Sequence, residues 1–105
     1  MIKREKRRYL ALEVVNEQQP FDERTVLDAV KASIRRLFGE YGASKAEIRL
    51  IKGIPEKRRL IIRCSHLMLE KVRASVASTV EVDGKAAAVH VVGVSGTLKA
   101  LAKKT

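Results

Sequence analysis

Arg59-Leu60-Ile61-Ile62-Arg63-Cys64 decides how this chain folds. The run is short, apolar and β-branched at its centre, which suits a strand in the middle of a sheet. On its N-terminal side, Gly53-Ile54-Pro55-Glu56-Lys57 reads as a turn. Before that turn, residues 46–54 read as a second strand, with Ile48 and Leu50 on one face and Arg49 and Ile51 on the other. On its C-terminal side, Ser65 can cap a helix running to about Val80, with Leu69, Val72, Val76 and Thr79 or Val80 inward.

The same reading extends outward from this strand pair. Residues 8–16 alternate as a strand, with Leu10, Leu12 and Val14 on the apolar face, and Gln18-Gln19-Pro20 breaks it. Asp22 reads as an N-cap, with Phe21 and Val26 placed as a hydrophobic staple. A helix to about Tyr41 follows, its stripe being Val26, Val30, Ile34, Leu37, Phe38 and Tyr41, with Gly39 and Gly42 as candidates for ending it. Asp83-Gly84 is a turn, Lys85 to Val94 a fourth strand, and Thr97 to Lys103 a short last helix. The order β-α-β-β-α-β plus a helix is an α+β arrangement. It predicts the ferredoxin-like split βαβ plan, with an antiparallel four-stranded sheet and two helices on one face. Residues 1–7 are expected to form a mobile basic arm and residues 8–105 a single domain.

Composition narrows the function. The 105 residues are 46% apolar, enough for one packed core. Lys and Arg number 22 against 12 Asp and Glu, a net charge of +10, which favours a polyanion as partner. Nucleic acid suits this better than a membrane surface, because no basic amphipathic helix stands apart from the fold. There is no apolar run of ~18 residues and no secretory leader pattern. The lone Cys64 excludes a disulfide framework. A cytoplasmic protein is therefore expected. The excess charge sits in clusters: Lys3, Arg4, Lys6, Arg7 and Arg8 against Glu5; Lys52, Lys57, Arg58 and Arg59 against Glu56; and Lys99, Lys103 and Lys104.

Enzyme chemistry finds little support. Cys64, His66 and His90 are too few and too scattered for a metal site or a nucleophile pair. Asp22, Asp28, Glu40 and Glu70 lie on polar helix faces, so no acid–base pair stands out. No catalytic residue, metal ligand or cofactor is assigned. The stretch Val91-Val92-Gly93-Val94-Ser95-Gly96-Thr97-Leu98-Lys99 carries more. It lacks P-loop spacing. Ser95 or Thr97 can cap the last helix, leaving N–H groups and small residues where a phosphate could sit. An ordinary capped turn explains the same residues, and both readings stand open. The sheet face opposite Leu10 and Leu12 would carry Tyr9, Ala11, Glu13 and Val15, with Ile61 and Arg63 beside them. Being half apolar, it suits a protein partner better than stacked bases, unless the arm or the last helix folds over it.

Lys6-Arg7-Arg8-Tyr9-Leu10-Ala11-Leu12-Glu13, Leu60-Ile61-Ile62-Arg63-Cys64-Ser65-His66 with the helix through Val72-Arg73-Ala74, and Val92-Gly93-Val94-Ser95-Gly96-Thr97-Leu98 resemble a known family. It is the protein component 2 family of archaeal ribonuclease P, related to a eukaryotic RNase P/MRP subunit. The resemblance covers roughly residues 6 to 101. It implies a ferredoxin-like subunit of the ribonucleoprotein that removes the 5′ leader from precursor tRNA. It implies that the RNA, with Mg²⁺, is the catalyst. It also implies pairing with the TIM-barrel-like protein component 3, and a possible homodimer giving a heterotetramer. Longer members continue past the last helix, and contacts made there are not carried over.

The expected RNA-binding residues are Lys3, Arg4, Lys6, Arg7, Arg8, Lys57, Arg58, Arg59, Ser95, Gly96, Thr97, Lys99 and Lys103. The expected protein-partner surface is Tyr9, Ala11, Ile61, Leu67 and Met68. The alternative is a stand-alone RNA-binding module of a ribosomal or other RNA-processing complex.

Overall fold

A computed structural model describes residues 6–15 and 22–104. Its elements are β1 (Arg7–Val15), α1 (Glu23–Ala46), β2 (Arg49–Ile54), β3 (Arg59–Ser65), α2 (Leu69–Ser78), β4 (Glu81–Val82), β5 (Lys85–Ala86), β6 (Ala88–Ser95) and α3 (Leu98–Lys104). Short 3₁₀ turns at Pro55–Lys57 and His66–Met68 precede β3 and α2. The long strands form a 4-stranded antiparallel sheet in the order β2-β3-β1-β6. This is the expected split βαβ plan, with β3 and β1 central.

Strand alternation divides the core in two. Leu10, Leu12 and Val14 of β1 and Leu60, Ile62 and Cys64 of β3 face Val26, Val30 and Ile34 of α1 and Val72 and Val76 of α2. Each such side chain contributes ~1.5–3 kcal/mol on burial. The intervening Ala11 and Ile61 point to the opposite face and meet Leu101 of α3. Between the helices, the Ser33 and Thr79 hydroxyls lie 2.9 Å apart, and Thr79 Oγ1 donates to the Ser75 carbonyl at 2.8 Å. Thr79 is therefore inside, while Val80 is exposed.

Asp22 caps α1 as expected. Its carboxylate accepts from the Thr25 hydroxyl at 2.9 Å and the Arg24 N–H at 3.0 Å. The Thr25 bond first, then that of Arg24, holds the Asp22 carboxyl below its usual range. Phe21, the other half of the expected staple, lies outside the described residues.

Three expectations are corrected. First, α1 does not end near Tyr41. Gly39 breaks it at φ 75° and ψ 179°, and the helix then resumes to Ala46, where Glu47 stops it at φ 49°. The break resets the helical phase, so Tyr41 points to solvent, and Leu37 is exposed beside the half-buried Phe38. Gly42 is buried inside the second rod, where a Cβ would lie 2.6 Å from Phe38 Cβ. Second, Ser65 makes no side-chain cap bond, because a 3₁₀ turn intervenes and α2 starts at Leu69. Third, the expected strand from Lys85 to Val94 is divided. Asp83 and Gly84 take φ 52° and 76°, a hairpin turn that pairs β5 back onto β4, and the main sheet regains the chain at Ala88.

Candidate nucleic-acid interface

The fold sorts the expected cations to opposite ends of the sheet. β1 starts, β3 ends, β2 starts and β6 ends on the same side. Lys6, Arg7 and Arg8 therefore stand at the same end of the sheet as the Ser95–Lys99 turn, which puts the first and last sequence clusters on one side of the molecule. The tie is visible at Gly96, where a Cβ would lie 3.6 Å from Arg8 Nη1. Lys3 and Arg4 lie outside the described residues, as does the side chain of Lys103.

The arm meets the fold earlier than expected. Arg7 already belongs to β1, and the His66 N–H donates to the Lys6 carbonyl at 3.0 Å. His66 Nδ1 lies 3.0 Å from that same oxygen, which can only accept, so Nδ1 carries a proton. His66, expected to be merely exposed, pins the first basic cluster to the turn before α2. No local pattern signals this, since its partner is 60 residues away in sequence.

Lys57, Arg58 and Arg59 stand at the other end, beyond the β2–β3 turn. Two of them are engaged with β1. The Arg58 backbone is left-handed at φ 53°, and its Nε donates to the Val14 carbonyl at 3.4 Å. Arg59 Nε lies 2.8 Å from Glu13 Oε2, with both side chains no more than about a third exposed. Arg59 thus neutralises a carboxylate on the sheet, a duty that sequence reasoning did not give it.

The glycine turn uses much of its own polarity. Thr97 Oγ1 accepts from the Ala100 N–H at 3.1 Å, and the Thr97 carbonyl accepts from the Leu101 N–H at 3.1 Å. Ser95 Oγ accepts from the Thr97 N–H at 3.3 Å. Thr97 is therefore the cap of α3, and Ser95 braces it. Gly96 has no left-handed φ, and the 3.6 Å contact that a Cβ would make is ordinary. The backbone itself does not demand glycine there.

The expected protein-partner surface is mostly closed. Ala11 and Ile61 are only 2% and 3% exposed, because the fully buried Leu101 of α3 covers them. Tyr9 is half-buried in the same cluster. Met68 is 8% exposed and packs into the main core, so it offers no partner surface. Leu67 is 75% exposed. Leu37 and Tyr41 add exposed apolar surface that the helical stripe had placed inside.

The chemistry of the remaining groups is quiet. Among the described residues, no cluster of His, Cys, Asp and Glu could hold a metal ion. Burial pushes the Cys64 thiol up to about 11, against a smaller opposing pull from Arg8. Such a thiol is a poor nucleophile at neutral pH. Among the described residues, no helix is long and apolar enough to cross a membrane.

Residues 8–105 match the model of the Rpp14/Pop5 family. Ribonuclease P protein component 2 of Methanosarcina mazei is 39% identical over 101 residues, covering 96% of this chain and 84% of that protein. Its namesake from Pyrococcus furiosus is 36% identical, covering 96% and 83%. A chain from the cryo-EM structure of yeast ribonuclease MRP superposes with a TM-score of 0.69, covering 93% of this chain and 79% of that one. At 15% identity, that likeness speaks for the fold.

Proposed function

The chain belongs to the Rpp14/Pop5 family and is a protein subunit of ribonuclease P; within that complex, we propose that it is a non-catalytic scaffold for the RNA. The observation that carries this reading is that strand register brings Lys6, Arg7 and Arg8 to the end of the sheet where β6 runs into the Ser95–Thr97 turn, with Arg8 reaching Gly96. Those cations neutralise phosphates of the complex's RNA, and the second basic end around Lys57 takes another segment. The RNA cuts precursor tRNA with its own Mg²⁺, and this chain supplies no reacting group. Contact with protein component 3 falls on the exposed apolar residues Leu67, Leu37 and Tyr41. A homodimer would complete a heterotetramer.

Electrostatic binding has a quantitative signature. If ~5 phosphates are contacted, log affinity falls against log salt with a slope of about −4 to −5, borrowing the duplex DNA rule. The deciding experiment mixes this chain with ribonuclease P RNA, component 3 and Mg²⁺, and follows precursor-tRNA cleavage. Stimulation is expected. No gain over the mixture lacking this chain would defeat the assignment, and tight RNA binding without stimulation would favour a stand-alone RNA-binding module. Gly96→Val with Ser95→Ala tests the turn: unchanged RNA affinity and rate would make it purely structural.

A further inference from the structure

At the end of the sheet where β1 begins, the register aligns Arg49 of β2, Arg63 of β3, Tyr9 of β1 and Ser95 of β6 as successive cross-strand neighbours. Alternation puts them on the face of Ala11 and Ile61, the face that α3 partly covers. Opposed residues hold their Cβ atoms about 4.5–5.5 Å apart, so Arg49 and Arg63 set like charges side by side at a cost in stability. Among the described residues, neither has a carboxylate at ion-pair distance. Arg59, further along the same strand and face, is matched by Glu13. Among the described residues, the fold therefore pairs one arginine of this face with a carboxylate and leaves the two at the rim without one at ion-pair distance.

Two further features point to a ligand. A hollow of about 280 Å³ opens at this end, with Arg7, Arg49 and Arg63 in its wall, and Glu47 as its one carboxylate. Tyr9, half-buried against the Leu101 cluster, is the one Phe, Tyr or Trp among the described strand residues. Leu101 closes the middle of the face, so an extended RNA strand cannot lie across it. The rim alone remains.

We propose that the row Arg49–Arg63–Tyr9 binds one unpaired nucleotide of RNA, with its phosphate between the two guanidiniums and its base against Tyr9. This rests on the reading of the chain as an RNA-binding subunit of ribonuclease P, and it gives that reading a place and a strandedness. Arginine forks match phosphate oxygens, and aromatic rings take bases that are free of a duplex. An acidic protein segment would satisfy the arginines but would leave the tyrosine without a role.

The test titrates labelled oligouridine, and a hairpin duplex of equal length, with the full chain and its variants. Arg49→Gln/Arg63→Gln is expected to bind oligouridine about tenfold more weakly, with a salt slope shallower by about one. It should also melt at or above the wild-type temperature, because a like-charge pair is gone. Tyr9→Leu should lose about fivefold and Tyr9→Phe almost nothing, with the hairpin less affected in every case. Should the double variant melt low, Arg49→Gln alone, at an exposed position, carries the test. Unchanged oligouridine binding in the arginine variants would overturn the proposal. So would loss of component 3 binding in the absence of RNA while RNA binding stays intact. In the reconstituted cleavage reaction, an inactive wild type would sink the subunit reading. An active wild type with an equally active arginine variant would sink only this site.

Discussion

Leu101→Ala tests whether α3 is a separately docked element or part of the cooperative core. The side chain is fully buried on Ala11 and Ile61. Truncating such a leucine costs ~2–5 kcal/mol. α3 has 7 residues, well below the ~12–15 at which isolated helices become even marginal. Its helicity therefore depends on docking, with the Thr97 cap adding about 1 kcal/mol. A loss of ~2 kcal/mol or more releases α3 before it unfolds the sheet, because opening a terminal element is cheaper than global unfolding. Hydrogen exchange reads this directly. The Ala100 and Leu101 amides, bonded to Thr97 in the wild type, should exchange about 30-fold faster or more, since ~1.4 kcal/mol is a factor of ten. The β1 and β3 amides should keep their protection. Leu12→Ala, in the main core, should instead lower the melting temperature by about 10 °C or more. Unchanged exchange in α3, or loss of sheet protection together with α3, would refute the reasoning.

Gly39→Ala should cost ~1–3 kcal/mol, measured by urea melts, because φ 75° with ψ 179° is nearly closed to residues with a Cβ; an unaltered midpoint would mean that the break relaxes freely. Asp22→Ala should lower stability at pH 7. The folded carboxyl sits below its ordinary value of 3.8, so its contribution is present above that pH and is lost as pH falls through the folded value. The gap between wild type and variant should therefore close in acid, and a gap of constant size would contradict the cap. Cys64 should react with iodoacetamide at pH 8 about a hundredfold more slowly in the native chain than in denaturant, since its thiol is raised from 9.0 to about 11. The native state prefers the protonated thiol, so stability should fall as pH rises from 9.0 toward about 11.

What was legible in the sequence depended on how local each cause was. The alternation of Leu10, Leu12 and Val14, the Asp22 cap and the apolar run of β3 are local, and they placed the sheet correctly. Thr97 was likewise visible as a helix cap. Gly39 was visible as a breaker, but a glycine stop and a glycine break look alike until the helix packs again beyond it. Arg59 looked like a free cation because Glu13 is 46 residues away, and their meeting depends on strand register. Register also hid the Arg49–Arg63 opposition. The cover over Ala11 and Ile61 rests on one leucine in a short helix, too brief a pattern to announce where it docks.

The length of β1 has an electrostatic consequence. From Arg7 to Val15 it spans about 26 Å at ~3.3 Å per residue. Ionic screening at physiological salt decays over ~8 Å, so the Arg7 end and the Arg58 end lie more than three screening lengths apart. Their fields do not overlap. Charge removed at one end leaves the potential at the other unchanged, and losses in log affinity from the two ends should add. Two separate polyanion segments can then occupy the chain without repelling one another through it.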